Sequence, residues 1–326
     1  MEPVCKTAVC ILLTAFFCFV SVKSVSALDT SLEFSTGYND NVPKTPDAEG
    51  SGFWLCEIRL LQRLFSGSAD AEGQISAEAA YQDYFRTGDS YHLQAETELA
   101  WPLSDGRIIP GIFSDVLVYR DDAVEEDERS EVTAGGFADW LASPYLTLGI
   151  RQSWSWADYR NPAAGCGCRS TLSGQSEHAG GKGMNSDHSC LTENKNRDDR
   201  MQTVGIHSTF YLSPALAAEI LGEHIRNRSS VKTESCNENA LTASVAWNPS
   251  EFWEISVLGS ARHLRYEKAM HDEDRKDTVF HAALRVSRFI GKFELRVQAQ
   301  WTHNDSSEEK EDYRQQVMQC GFGFSF

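Results

Sequence analysis

The sequence predicts an all-β fold: one closed antiparallel β-barrel that crosses a membrane with about 14 strands, within bounds of roughly 12–16. Three observations lead there. Apolar and polar residues alternate strictly over segments of about ten residues, the length a tilted strand needs to cross a bilayer and about twice that of a usual globular strand. All eight tryptophans sit close to the ends of these segments, where amphipathic rings would meet a membrane interface. The connections alternate between short turns and long polar loops, as they do when strands run up and down a single wall.

The 326 residues open with Lys6, an apolar run Ala8–Val20 and then Val25, Ser26 and Ala27. That run is too short to span a bilayer as a helix, so residues 1–27 are expected to be a cleaved export signal and 28–326 the barrel. Ala15, Phe16 and Phe17 before Cys18 do not form a lipobox. So little chain separates Leu28 from the first strand that no N-terminal plug is expected. The formal charge of −17 becomes −18 once Glu2, Lys6 and Lys23 are removed, which argues against nucleic acid and anionic membrane surfaces as partners.

Strands are expected near 30–39, 53–64, 74–85, 91–102, 107–120, 130–141, 145–158, 199–212, 216–226, 239–248, 251–266, 278–289, 293–303 and 313–326. The clearest sets Phe293, Leu295, Val297, Ala299 and Trp301 against Glu294, Arg296, Gln298, Gln300 and Thr302. The fifth, interrupted by Pro110 and Gly111, departs furthest from the pattern. Tight reversals are expected at "SDG" 104–106, "ASP" 142–144, "SPA" 213–215, "NPS" 248–250 and "IGK" 290–292, with 65–73 the longest link on that rim. The opposite rim carries the polar loops, the longest at 159–198.

The final strand, "VMQCGFGFSF", alternates to its last residue. Taken with the signal, the alternating strands and the lack of any helical span, it makes the chain resemble Gram-negative outer-membrane β-barrel proteins of porin-like type. The resemblance implies an outer-membrane location and contact with membrane lipid and lipopolysaccharide. It also implies that Phe322, Phe324 and Phe326 form the signal read by the barrel-assembly machinery. "GYNDNV" at 37–42 is similar to the start of barrels found with surface-polysaccharide or surface-protein export systems.

A barrel this wide leaves a hydrated lumen by default. The strand phase puts Arg59, Glu78, Glu96, Glu98, Arg262, Arg285, Glu294 and Arg296 on its inner wall. The bases concentrate on strands two and eleven to thirteen and the acids on three, four and six, which suggests a transverse field across a weakly selective pore. In the longest loop, Cys166, Cys168 and Cys190 accompany His178 and His188. Their spacing matches no closed zinc site, so disulfides among these cysteines, with Cys236 from the next loop, are the expectation. Cys56 and Cys320 read as small apolar residues on the outer wall.

No cofactor is implied. His263 faces outward near the long loops, but no outward serine accompanies it as a hydrolase would require, so no enzyme is expected. The acid-rich loops could bridge to lipopolysaccharide through divalent cations. The expected function is a passive pore for small hydrophilic solutes. Two other roles stay open: an accessory barrel for export or assembly of surface polysaccharide or proteins, and a structural or adhesive barrel. Sequence does not decide the oligomeric state.

Overall fold

In the computed structural model the described residues are 28–326, apart from 43, 45, 47–48, 65–70, 123, 161–196 and 268–274; the side chains of 126 and 310 are also set aside. The expected signal lies outside them. Fourteen strands follow one another: β1 Leu28–Asn39, β2 Ser51–Leu64, β3 Glu72–Tyr84, β4 Gly88–Ala100, β5 Ile108–Asp121, β6 Arg129–Ser143, β7 Leu146–Tyr159, β8 Arg197–Ser213, β9 Leu216–Ser229, β10 Cys236–Ser250, β11 Trp253–Tyr266, β12 Lys276–Ile290, β13 Phe293–Ser306 and β14 Tyr313–Ser325. Each pairs antiparallel with its neighbours in sequence, and β1 pairs with β14 over nine registered positions to close the cylinder. No unpaired edge is left.

The apolar face of every strand looks outward. Phe293, Leu295, Val297 and Trp301 are exposed, as are all eight tryptophans, so these side chains do not form the dry interior of a sandwich. Such a surface is stable only against hydrocarbon. Trp101, Trp140, Trp247 and Trp253 lie toward the short-turn rim, and Trp54, Trp154, Trp156 and Trp301 toward the loop rim. The two sets form the girdles of an apolar band. Phe322 packs on Phe34 across the closing seam, and Phe324 stacks between Phe293 and Phe326.

Three short turns share one device. The hydroxyls of Ser143, Ser213 and Ser250 accept hydrogen bonds from the amides of Tyr145, Ala215 and Phe252, at 3.2, 3.2 and 3.3 Å. The reversal expected at "NPS" falls instead at 251–252: β10 runs through Pro249 to Ser250, with a register shift between Trp247 and Ser250. At 104–106, Ser104, Asp105 and Gly106 all take positive φ. β5 is continuous through Pro110. The Pro110 carbonyl accepts from the amide of Trp101, so its nitrogen also faces β4, just beyond the last β4–β5 pair at Ala100–Gly111. Proline leaves the return bond to Trp101 unmade, and the same register resumes at Leu103–Ile108.

Candidate functional site

The site is the inner wall. Because the side-chain period is two and the register is continuous, the outward phase of one strand fixes the inward phase of all. Following the pairs around the barrel places Arg59, Glu78, Glu96, Glu98, Arg262, Arg285, Glu294 and Arg296 on the inner face. The same face carries His92, Asp115, Glu131, Asp139, Arg151, His207, Glu219, Glu223 and Glu254.

Most of the inner cations are held by acids. In the short-turn half, Arg59 bridges Glu57 at 2.9 Å and Glu78 at 2.8 Å, and Glu78 also meets His92 at 2.8 Å. Arg296 bonds Glu294 on its own strand and reaches over β14 to Glu33 of β1. That reach crosses Gly321 and Gly323, where no side chain intervenes. The hydroxyl of Ser287 donates to Glu294 at 2.7 Å. Nearer the loops, Arg262 forks onto both oxygens of Glu238 at 2.6 and 2.8 Å, the bidentate geometry that suits guanidinium to carboxylate.

Between β5 and β7 the wall is thickened by rings laid over glycines. Phe137 covers Gly111 and Phe113 covers Gly135; a Cβ at either glycine would come within 2.2 or 2.5 Å of the ring. The Arg151 guanidinium lies 3.8 Å above the Phe113 ring.

At the loop rim one brace occurs three times. A tyrosine at the top of the rising strand carries the arginine opposite it, which also bonds an acid two residues later. The sets are Tyr119, Arg129 and Glu131; Tyr159, Arg197 and Asp199; and Tyr266, Arg275 and Asp277. Asp199 and Asp277 are buried. Arg197 also reaches Glu234 at 3.4 Å, and Arg275 reaches Glu311 at 3.3 Å. Burial pushes the Glu234 carboxyl above its usual 4.5, a rise that Arg197 and Arg275 only partly offset.

These pairings change the electrostatics expected from composition. Arg59, Arg262 and Arg296 are paired with acids where they stand, so they add less to a transverse field than composition alone suggests. Among the described residues, the inner-wall acids without an ion pair are Asp29 on β1 and Glu72 on β3 at the short-turn end, Glu96 and Glu98 on β4, Asp115 on β5, Glu219 and Glu223 on β9, and Glu254 on β11; Asp115 is held by a hydrogen bond from Gln94. Arg285 and the ring-stacked Arg151 are cations in the same condition.

Cys236 sits at the start of β10, facing inward and buried, not in the preceding loop, and forms no disulfide with another described cysteine. Cys166, Cys168, Cys190, His178 and His188 lie outside the described residues. Cys56 and Cys320 face outward on β2 and β14 with β1 between them. Outward His263 meets Thr278 at 3.3 Å. No cluster of three or more metal-ligating side chains occurs among the described residues.

No protein-family model matches the chain. No curated protein matches it either. Many solved structures share its architecture. The outer membrane channel DcaP of Acinetobacter baumannii aligns over 92% of this chain and 96% of its own, at 9% identity and a TM-score of 0.51. OmpT expressed in the outer membrane of Vibrio cholerae aligns over 92% and 97%, at 7% identity and a TM-score of 0.47. At such identities the likeness is one of fold: the chain has the architecture of outer-membrane β-barrel proteins.

Proposed function

We propose that this chain is an outer-membrane barrel acting as a passive, non-enzymatic pore for small hydrophilic solutes, with a preference for cations. The observation that carries the reading is a polar inner wall that continues around all fourteen strands behind an exposed apolar outer one. A hydrated passage is what such a wall would line. The preference for cations follows from the charges left over after pairing: Glu96, Glu98, Glu219, Glu223 and Glu254 outnumber Arg151 and Arg285, and rings of acids favour cations in water-filled pores. Contact with membrane lipid and lipopolysaccharide belongs to the same reading.

The test is single-channel recording of the refolded barrel in a planar bilayer, with unequal salt on the two sides. Stable ohmic steps with a reversal potential of the cation-preferring sign are expected. A correctly folded but silent barrel would refute the pore and leave the export-accessory and adhesive roles. Steps preferring anions would refute the charge argument alone.

A further inference from the structure

The outer wall carries a charge pattern that the pore does not use. On the loop side of the apolar band, Gln202, Arg226, Asn237, Arg265 and Lys276 stand directly opposite one another across β8–β12. One step nearer the loops, Arg200 faces Arg228. One step nearer the band, His224, Asn239, His263 and Thr278 form a third row. All of these face outward, and Arg200, Arg226, Arg228, Arg265 and Lys276 are exposed. None of the five makes an ion pair with another described residue, whereas most inner-wall arginines do.

The rows begin where the band ends. Ile206, Leu241 and Phe280 lie immediately below them and Ile220 one step further on, all exposed on the outer face. On the adjoining strand, Trp154 and Trp156 stand opposite Gln202 and Arg200, at the level of an interface girdle. The other side of the same rim is mixed in sign: Asp40, Asp83 and Asp89 face outward on or beside β1, β3 and β4, with Arg314 of β14 outward among them. The Arg120 side chain there is engaged by the carbonyls of Tyr119 and Arg129. Acids border these rows: Asp158 and Asp198 lie one step beyond Trp156 and Arg200 toward the loops, Glu267 ends the Arg200–Arg228 row past Ser235, and Asp305 on β13 stands opposite Thr278. In a chain of net charge −17, five exposed cations in two adjoining rows are a local reversal of sign.

Strands lie about 4.8 Å apart and alternate residues about 6.7 Å along each strand. Arg226, Arg228, Arg265, Arg200 and Lys276 therefore span a patch roughly 15–20 Å wide, at the depth where headgroup phosphates meet the band. Guanidinium groups fork onto phosphate oxygens, and several in one plane suit a headgroup bearing more than one phosphoryl group. We propose that the outer face of β8–β12 is a binding site for the phosphorylated glycolipid of the outer leaflet, held through its phosphates by Arg200, Arg226, Arg228, Arg265 and Lys276. The proposal rests on the outer-membrane reading. It runs against the expectation from net charge that anionic membrane surfaces are poor partners, because the overall balance is acidic but the charges on this face are mostly basic.

The test titrates lipopolysaccharide onto the mature barrel refolded in uncharged detergent, with binding read by tryptophan emission. The fold of each variant is checked by heat-modified gel mobility, which exposed Arg→Gln changes should leave intact. The triple variant R226Q/R265Q/K276Q should bind roughly a hundredfold more weakly than wild type, at about fivefold per cation. Phosphatase-treated lipopolysaccharide should bind wild type and triple variant alike, and D83N on the other side of the rim should bind as wild type. Equal binding by wild type and the folded triple variant would overturn the proposal. So would inorganic phosphate competing at the lipid's own affinity, which would mark a free-phosphate site. A wild-type chain that forms no barrel in detergent would instead overturn the membrane reading, and this site with it.

Discussion

The closing seam makes a sharp comparison possible within one strand. Gly321 and Gly323 sit two apart on the inner face of β14, opposite Ser35 and Glu33 of β1. A Cβ at Gly321 would lie 2.5 Å from the Phe34 carbonyl oxygen and 2.6 Å from Ser35 Cβ, whereas at Gly323 the nearest atom is 3.6 Å away. The first contact is with backbone, so relief requires β1 and β14 to part by roughly 0.8–1 Å, which stretches the ladder bonds on either side beyond good geometry. Weakening about two of them at about 1 kcal/mol each, with overpacking of about 1–2 kcal/mol, puts G321A at a loss of roughly 3–4 kcal/mol. G323A meets only ordinary contact and should be neutral or gain about 0.5 kcal/mol, since glycine weakens a strand. Urea unfolding of both variants in lipid vesicles, followed by tryptophan emission, measures the difference directly. The seam has only nine registered pairs, so G321A should also slow assembly. If G321A unfolds at the same urea concentration as G323A, the close approach at the seam is not a constraint and the reasoning fails.

Other predictions follow from the charge pairing. Neutralising Glu96, Glu98, Glu219 and Glu223 together should move the reversal potential in a salt gradient toward zero with the fold intact, because none of the four is ion-paired with another described residue. R285Q should shift selectivity toward cations at little cost in stability, whereas R296Q, which releases Glu33 and Glu294, should cost about 2–4 kcal/mol in urea unfolding. R197A strands the buried Asp199 and should destabilise the β7–β8 rim by about 3 kcal/mol, seen as faster amide exchange at the upper ends of those strands. The raised Glu234 pKa has a definite sign: stability from its protonated form is fully present below the ordinary 4.5 and is lost as pH rises through the elevated folded value. E234Q should therefore flatten the pH dependence of stability above 4.5; an unchanged profile would count against its burial.

The strands and their two faces were legible because alternation has a period of two and the apolar face must meet lipid at every strand. The boundaries fell short mainly at the loop rim, where β8, β9, β10 and β13 run two or three residues beyond the expected ends. Those extensions are polar on both faces, so hydropathy does not mark them; cross-strand pairing alone holds them. The "NPS" segment misled because proline and asparagine suggest a turn, while β10 absorbs Pro249 beside a register shift. The ion pairs were not legible, since whether Arg262 meets Glu238 depends on register between strands and not on spacing within one. The rim brace left a usable trace: a tyrosine before each loop and "RSE", "RDD" or "RKD" after it, at 129–131, 197–199 and 275–277.

That brace separates the permanent part of the molecule from the changeable part. Each arginine ties the two stems of a hairpin together beneath its crown, so strand pairing is complete before the crown begins. A crown of another length could then stand on the same stems without disturbing the cylinder below, because the brace and not the crown fixes how far apart the two strands sit.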